Sequence, residues 1–222
     1  MTEFTLQPAA TQASPVQVLP LAEAKIANGG HALPATALGS LTRKVGLAIA
    51  GSALVALCAH VSIPLGFTPV PLTLQPFAIL LLGLMLDPVM AFATLALYLA
   101  EGAAGLPVFS PHGLGGVAQL LGPTGGYLMA APVTATASSL LSRVHKSFIA
   151  KLLSAAAGDA ILLVCGSAWL GLLEHASARA AFAQGMTPFL LTDSIKVVAA
   201  ATCAGVLLSF RTSRTTKQPN SR

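Results

Sequence analysis

Apolar runs broken by short polar clusters dominate the pattern and predict six membrane-spanning helices. No Asp, Glu, Lys or Arg occurs across residues 45–86, nor across 102–142. A spanning helix needs about 20 apolar residues, so each run has room for two. The expected spans are about 44–63, 73–86, 89–103, 122–141, 152–173 and a last one from 187 to about 210. Pro64, Pro69, Pro71 and Pro76 stop regular helix between the first two and favour a stiff, extended connection. Asp87-Pro88 marks a tight turn, and Gly122-Pro-Thr-Gly-Gly is expected to open the fourth span, with proline in its first turn.

The stretch 98–127 breaks the pattern. It holds eight glycines and three prolines between strongly apolar flanks. Irregular backbone cannot leave its amides bare in lipid, so this segment must cap a protein-lined cavity or lie at the water interface. A loop of this length in a compact apolar chain is usually functional. It reads as the lid and rim of a small-molecule site.

Composition strengthens the membrane reading: 55% of the 222 residues are hydrophobic and 9% charged, against roughly a quarter charged in soluble domains. The net charge of +5 does not imply nucleic-acid binding, because the basic residues sit between apolar runs without aromatic interleaving. With six spans both termini share one side. Lys25, Arg43, Lys44, Arg143, Lys146, Lys151, Arg211, Arg214, Lys217 and Arg222 then lie together, opposite Arg179, and the positive-inside rule assigns that side to the cytoplasm. The proline-rich and glycine-rich loops are thereby external. The expected organisation is a flexible tail (1–42), a transmembrane domain (43–210) and a basic tail (211–222).

Polar residues inside spans are the candidates for chemistry. Asp193 and Lys196, three apart, share a helix face about one turn deep. Buried charges of this kind face a cavity or one another, so the pair is either a structural ion pair or a ligand anchor. Thr73 and Gln75 offer neutral hydrogen-bonding groups where the proline segment re-enters the membrane, and Gln119 does so in the glycine-rich loop. Tyr98, Phe109 and Tyr127 can wall a site or anchor at the interface. Glu101 is a rim residue or part of the site, and Asp159 a packed or snorkelling carboxylate. Small residues at Ala48, Ser52 and Ala56 form a ridge that suits close helix approach, within the bundle or against another subunit. Cys58, Cys165 and Cys203 read as buried apolar side chains, and His60, His112 and His175 as ordinary packed or interfacial residues. No metal-ligand spacing occurs and no cofactor is expected.

No Gly-x-x-x-x-Gly-Lys-[Ser/Thr], Gly-x-Ser-x-Gly or His-Glu-x-x-His motif is present, so the chain holds no ATP-driven motor and neither of these hydrolase signatures. An intramembrane enzyme using Asp193, Glu101 and Asp159 would need carboxylates that converge, and these scatter to different depths and sides.

Four motifs taken together resemble the BioY family of biotin-uptake membrane proteins. They are Pro-Val-Pro-Leu-Thr-Leu-Gln (69–75), Tyr-Leu-x-x-Gly-x-x-Gly-Leu-Pro-Val-Phe (98–109), Gly-Pro-Thr-Gly-Gly-Tyr-Leu (122–128) and Pro-Phe-x-x-x-Asp-x-x-Lys (188–196). The resemblance covers about 43–210. It implies the six-helix fold of a substrate-binding S component of an energy-coupling-factor transporter, in a bacterial inner membrane. It also implies a biotin site near the external face, with Asp193 and Lys196 as polar binding residues. Gly105, Pro107, Gly113, Gly115 and Gly116 would belong to a gating loop. Ala48, Ser52 and Ala56 would face a transmembrane coupling subunit that works with paired ATPases. An S component for another vitamin is the alternative. The long N-terminal tail and the charge at Glu101 depart from the family pattern.

Overall fold

The computed structural model describes residues 35–145 and 147–215. Eight helices occur among them: α1 Ala35–His60, α2 Gln75–Met85, α3 Pro88–Ala103, α4 Gly116–Leu121, α5 Gly125–Ser142, α6 Phe148–Leu173, α7 Ala178–Gly185 and α8 Leu190–Thr215. Between α1 and α2, the two-residue strands β1 (Ser62–Ile63) and β2 (Leu72–Thr73) pair antiparallel, Ser62 with Thr73 and Ile63 with Leu72. Helix extends past both expected domain edges, to Ala35 and to Thr215. The outer parts of both tails lie outside the described residues.

Gly39–His60, Phe148–Leu173 and Leu190–Phe210 are long and apolar enough to cross a membrane, and α2 and α3 are shorter apolar helices. Large apolar side chains stand bare on the outside, including Leu57, Val89, Leu172 and Leu191, each at least two-thirds exposed. In water such a surface would drive association; in lipid it is the expected exterior of a multi-pass membrane protein.

The inside is built by α2. Gln75 and seven successive residues from Ala78 to Leu84 are buried, the mark of a helix enclosed on all sides. Val55, Ile79, Leu82 and Leu95 join it to α1 and α3. Leu80, Leu84, Ala155, Ala200 and Ala204 join it to α6 and α8. At 11 residues, α2 is only about 16 Å long, roughly half the hydrocarbon thickness. The proline segment before it packs inward, and its Thr68 and Val70 are buried.

Sequence-encoded caps fix several helix starts. The Ser147 hydroxyl accepts from Ala150 N (3.1 Å), opening α6; Ser177 does the same for α7 with Ala180 N (3.3 Å). At α3 the Asp87 carboxylate accepts from Met90 N (3.0 Å), with Pro88 in the first turn. Asp87→Ala is expected to lower stability by about 1 kcal/mol, read from thermal unfolding in detergent, because this exposed cap has no other task in the fold. The helix of the expected fourth span is α5, which starts at Gly125, not Gly122: Pro123 precedes its Thr124 cap residue and lies outside the first turn.

The residues between α6 and α8 hold α7, which turns back along α6. Gly185 lies against Ser167, and Gly171 leaves room for Ala181. The small-residue ridge of α1 points inward in part. Ser52 is fully buried and its hydroxyl donates to Glu101 of α3, while Ala48 and Ala56 are half-buried. Ser52 is therefore consumed by packing within the bundle and is not free to meet another subunit. The same bond accounts for Glu101, whose charge is held by a hydroxyl from the neighbouring helix.

Candidate binding cavity

The turn after α7 delivers Phe189 and then α8, whose first turn carries Asp193. A carboxylate in the first turn lies near the positive end of the helix dipole, which favours it. One turn on, Lys196 Nζ donates to Asp193 Oδ1 at 2.5 Å, and the two residues are 8% and 2% exposed. Both side chains line a cavity between α2, α5, α6 and α8.

The walls come from distant parts of the chain. Ile79 of α2, Leu128 of α5 and Leu162 and Leu163 of α6 are apolar; Thr73, Gln75, Ser110, Gln119 and Thr124 add neutral polar groups. The arrangement is a largely apolar chamber with one ion pair and several uncharged hydrogen-bonding groups. Such a chamber suits a compact, partly apolar ligand that offers donors and an acceptor at one end.

Six of the eight expected site residues line this cavity: Thr73, Gln75, Gln119, Tyr127, Asp193 and Lys196. Tyr98 and Phe109 do not. Tyr98 is fully buried, its hydroxyl donates to Val108 O at 3.1 Å, and its ring meets Phe109 edge-on with centroids 5.4 Å apart. Phe109 in turn covers Gly102, where a Cβ would fall 2.0 Å from the ring. These aromatics anchor the glycine-rich segment onto α3 and form no wall. Ser110, Thr124 and Phe189 line the cavity too, and sequence reasoning missed them as site residues, although Thr124 and Phe189 fall within the BioY-like motifs 122–128 and 188–196.

Local bonds tie the glycine-rich segment together. Gln119 is buried; its Oε1 accepts from Gly115 N (3.2 Å) and its Nε2 donates to Ser110 O (3.4 Å). Gly113 packs on the same amide, so close that a Cβ would lie 2.3 Å from it. Gly105, Gly115 and Gly116 hold φ of 92°, 71° and 58°, which only glycine adopts at little cost; Pro107 is exposed. Ser62 and Ser110 hydroxyls bond at 3.0 Å and join this segment to β1. On the other flank Thr68 donates to Gln184 O (3.1 Å), and the Tyr127 hydroxyl donates to Gly185 O. Tyr127 thus fastens α7 to α5 while its ring meets Phe189 edge-on at 6.4 Å. Asp159 lies outside the chamber. It borders a separate groove between α6 and α8 that includes Ser194, and its Oδ1 has no hydrogen-bond partner.

The chain is 35% identical over 158 residues to a probable biotin transporter BioY of Pyrococcus horikoshii, covering 71% of this chain and 91% of that one. It is 40% identical over 153 residues to the biotin transporter BioY of Thermotoga maritima, covering 69% and 88%. Among solved structures, the S-component for biotin from an ECF-type ABC transporter superposes with a TM-score of 0.71 at 23% identity, covering 77% of this chain and 93% of that one. That similarity carries the fold. The model of the BioY family matches residues 26–212, and with relatives of this identity over most of their length the chain belongs to the BioY family.

Proposed function

We propose that the protein captures biotin at the outer face of a bacterial inner membrane and serves as the substrate-specific subunit of an energy-coupling-factor transporter. The observation that carries this reading is the Asp193–Lys196 pair, buried at the edge of an apolar chamber. Biotin's ureido group has two N–H donors beside one carbonyl acceptor, and its fused ring is apolar. A carboxylate next to an ammonium complements that head directly. Asp193 takes the N–H groups, Lys196 donates to the carbonyl, and Ile79, Leu162 and Leu163 contact the ring. The opposite orientation would press biotin's own carboxylate against Asp193.

In this reading α1, α2 with the proline segment, α3, α5, α6 and α8 are the six crossings, and both termini are cytoplasmic. The distribution of basic residues supports that orientation. The glycine-rich lid and α4 lie outside, where Gln119 closes the chamber. The chain has no phosphate-binding loop, so uptake depends on a transmembrane coupling subunit and paired ATPases.

Calorimetry on detergent-purified protein with biotin and with riboflavin tests the assignment. Saturable one-to-one binding of biotin without binding of riboflavin is expected. Binding of riboflavin in place of biotin would transfer the chain to another vitamin, and binding of neither would end the capture reading.

A further inference from the structure

A second cavity adjoins the first, and Pro71, Gln119 and Thr124 line both. Its outer parts are His112, Leu114 and Ala118, all exposed. The partition between the two is therefore thin. It consists of a proline, a threonine and one glutamine side chain held by the lid's own bonds to Ser110 and Gly115.

Resting on the biotin reading, we propose that this outer chamber accepts an extension built onto biotin's carboxyl carbon, so that amide-linked biotin conjugates are substrates alongside the free vitamin. With the ureido head on α8, the valeryl tail points away from the ion pair. The elements left to receive it are the proline segment, α4 and the turn before α5, which hold the partition. Among the described residues, Lys196 is the one cationic side chain lining the inner chamber, so none of them demands a free carboxylate at the tail. Gln119, Thr124 and Ser110 hydrogen-bond an amide as well as an acid. Beyond the partition the wall is proline, glycine, leucine and alanine, with His112 its one titratable side chain among the described residues. A lysine joined through its ε-nitrogen would run its aliphatic stem along that wall and leave its charged end in water, as long polar side chains do at apolar surfaces.

The test compares free biotin with biotin amide-linked to the ε-nitrogen of lysine, on the native protein and on Ala118→Trp. Ala118 is exposed on α4 and borders only the outer chamber, so tryptophan there obstructs the extension and spares the inner site. Native protein is expected to bind both ligands with affinities within about tenfold, a difference of roughly 1.4 kcal/mol. The variant is expected to lose about tenfold or more for the conjugate alone, its retained biotin affinity proving that it folds. The proposal is overturned if native protein binds biotin but not the conjugate, or if Ala118→Trp weakens both ligands alike. Loss of biotin binding by the native protein would instead remove the biotin reading, and this inference with it.

Discussion

Exchange of Lys196 for methionine is expected to abolish biotin binding and to lower stability by about 3–5 kcal/mol, the cost of leaving a buried carboxylate without its counter-ion. Asp193 is 2% exposed and its ion pair with Lys196 spans 2.5 Å. Methionine keeps the length and apolar stem of lysine, so the change isolates the charge. The double variant Asp193→Asn/Lys196→Met removes both charges and is expected to regain most of the lost stability, since a buried ion pair gives little over a neutral pair of similar volume. Binding is not regained. The ureido head loses charge-assisted hydrogen bonds worth about 1.5–3 kcal/mol each, which amounts to roughly tenfold to more than a hundredfold per bond. Thermal unfolding and calorimetry on the two variants separate these effects. A double variant as unstable as the single one would show that the pair is structural. Tight biotin binding by Lys196→Met would remove the ammonium from the site.

That separation matters because the sequence left the pair's role open. Spacing places Asp193 and Lys196 on one helix face, but not what the face meets. The chamber does, because chain segments from β2 to α8 converge on it. Charge-free runs revealed where the apolar helices lie, since lipid and protein core reward the same side chains. For that reason they did not reveal enclosure: the second span, already short at 73–86, is α2, about half a span long and buried along most of its length. The ridge on α1 was ambiguous in the same way. Small residues permit close approach without naming the partner, and Ser52 spends its hydroxyl on Glu101, forty-nine positions away. Tyr98 and Phe109 looked like walls because aromatic residues beside a glycine-rich loop suit either a ligand or the loop's own anchoring. The bare Gly102 beneath the Phe109 ring decided for anchoring. The return of α7 along α6 had no clear signal, because eight residues of modest polarity carry too short a period to set a face.

Gly166→Ala is expected to reverse the usual ranking of the two residues. Alanine is favoured over glycine inside a helix by about 1 kcal/mol, and Gly166 lies well within α6. Its missing side chain, however, is replaced by the ring of Tyr127: a Cβ would stand 2.1–2.3 Å from three ring carbons. That ring cannot yield freely, because its hydroxyl is bonded to Gly185 O and its edge rests against Phe189. It must swing into the chamber it lines or release its hold on α7. The expected outcome is a stability loss of about 1–3 kcal/mol together with a biotin affinity reduced by about tenfold or more. Tyr127→Phe separates the two consequences, since it loses the bond to Gly185 and leaves the ring in place. It is expected to weaken the tether of α7 while changing affinity less than Gly166→Ala does. Adding Tyr127→Leu to Gly166→Ala frees the space and is expected to restore stability but not binding. Native stability and affinity in Gly166→Ala would mean that the Tyr127 ring is not wedged between α5 and α6, and its place as a fixed wall of the site would fall.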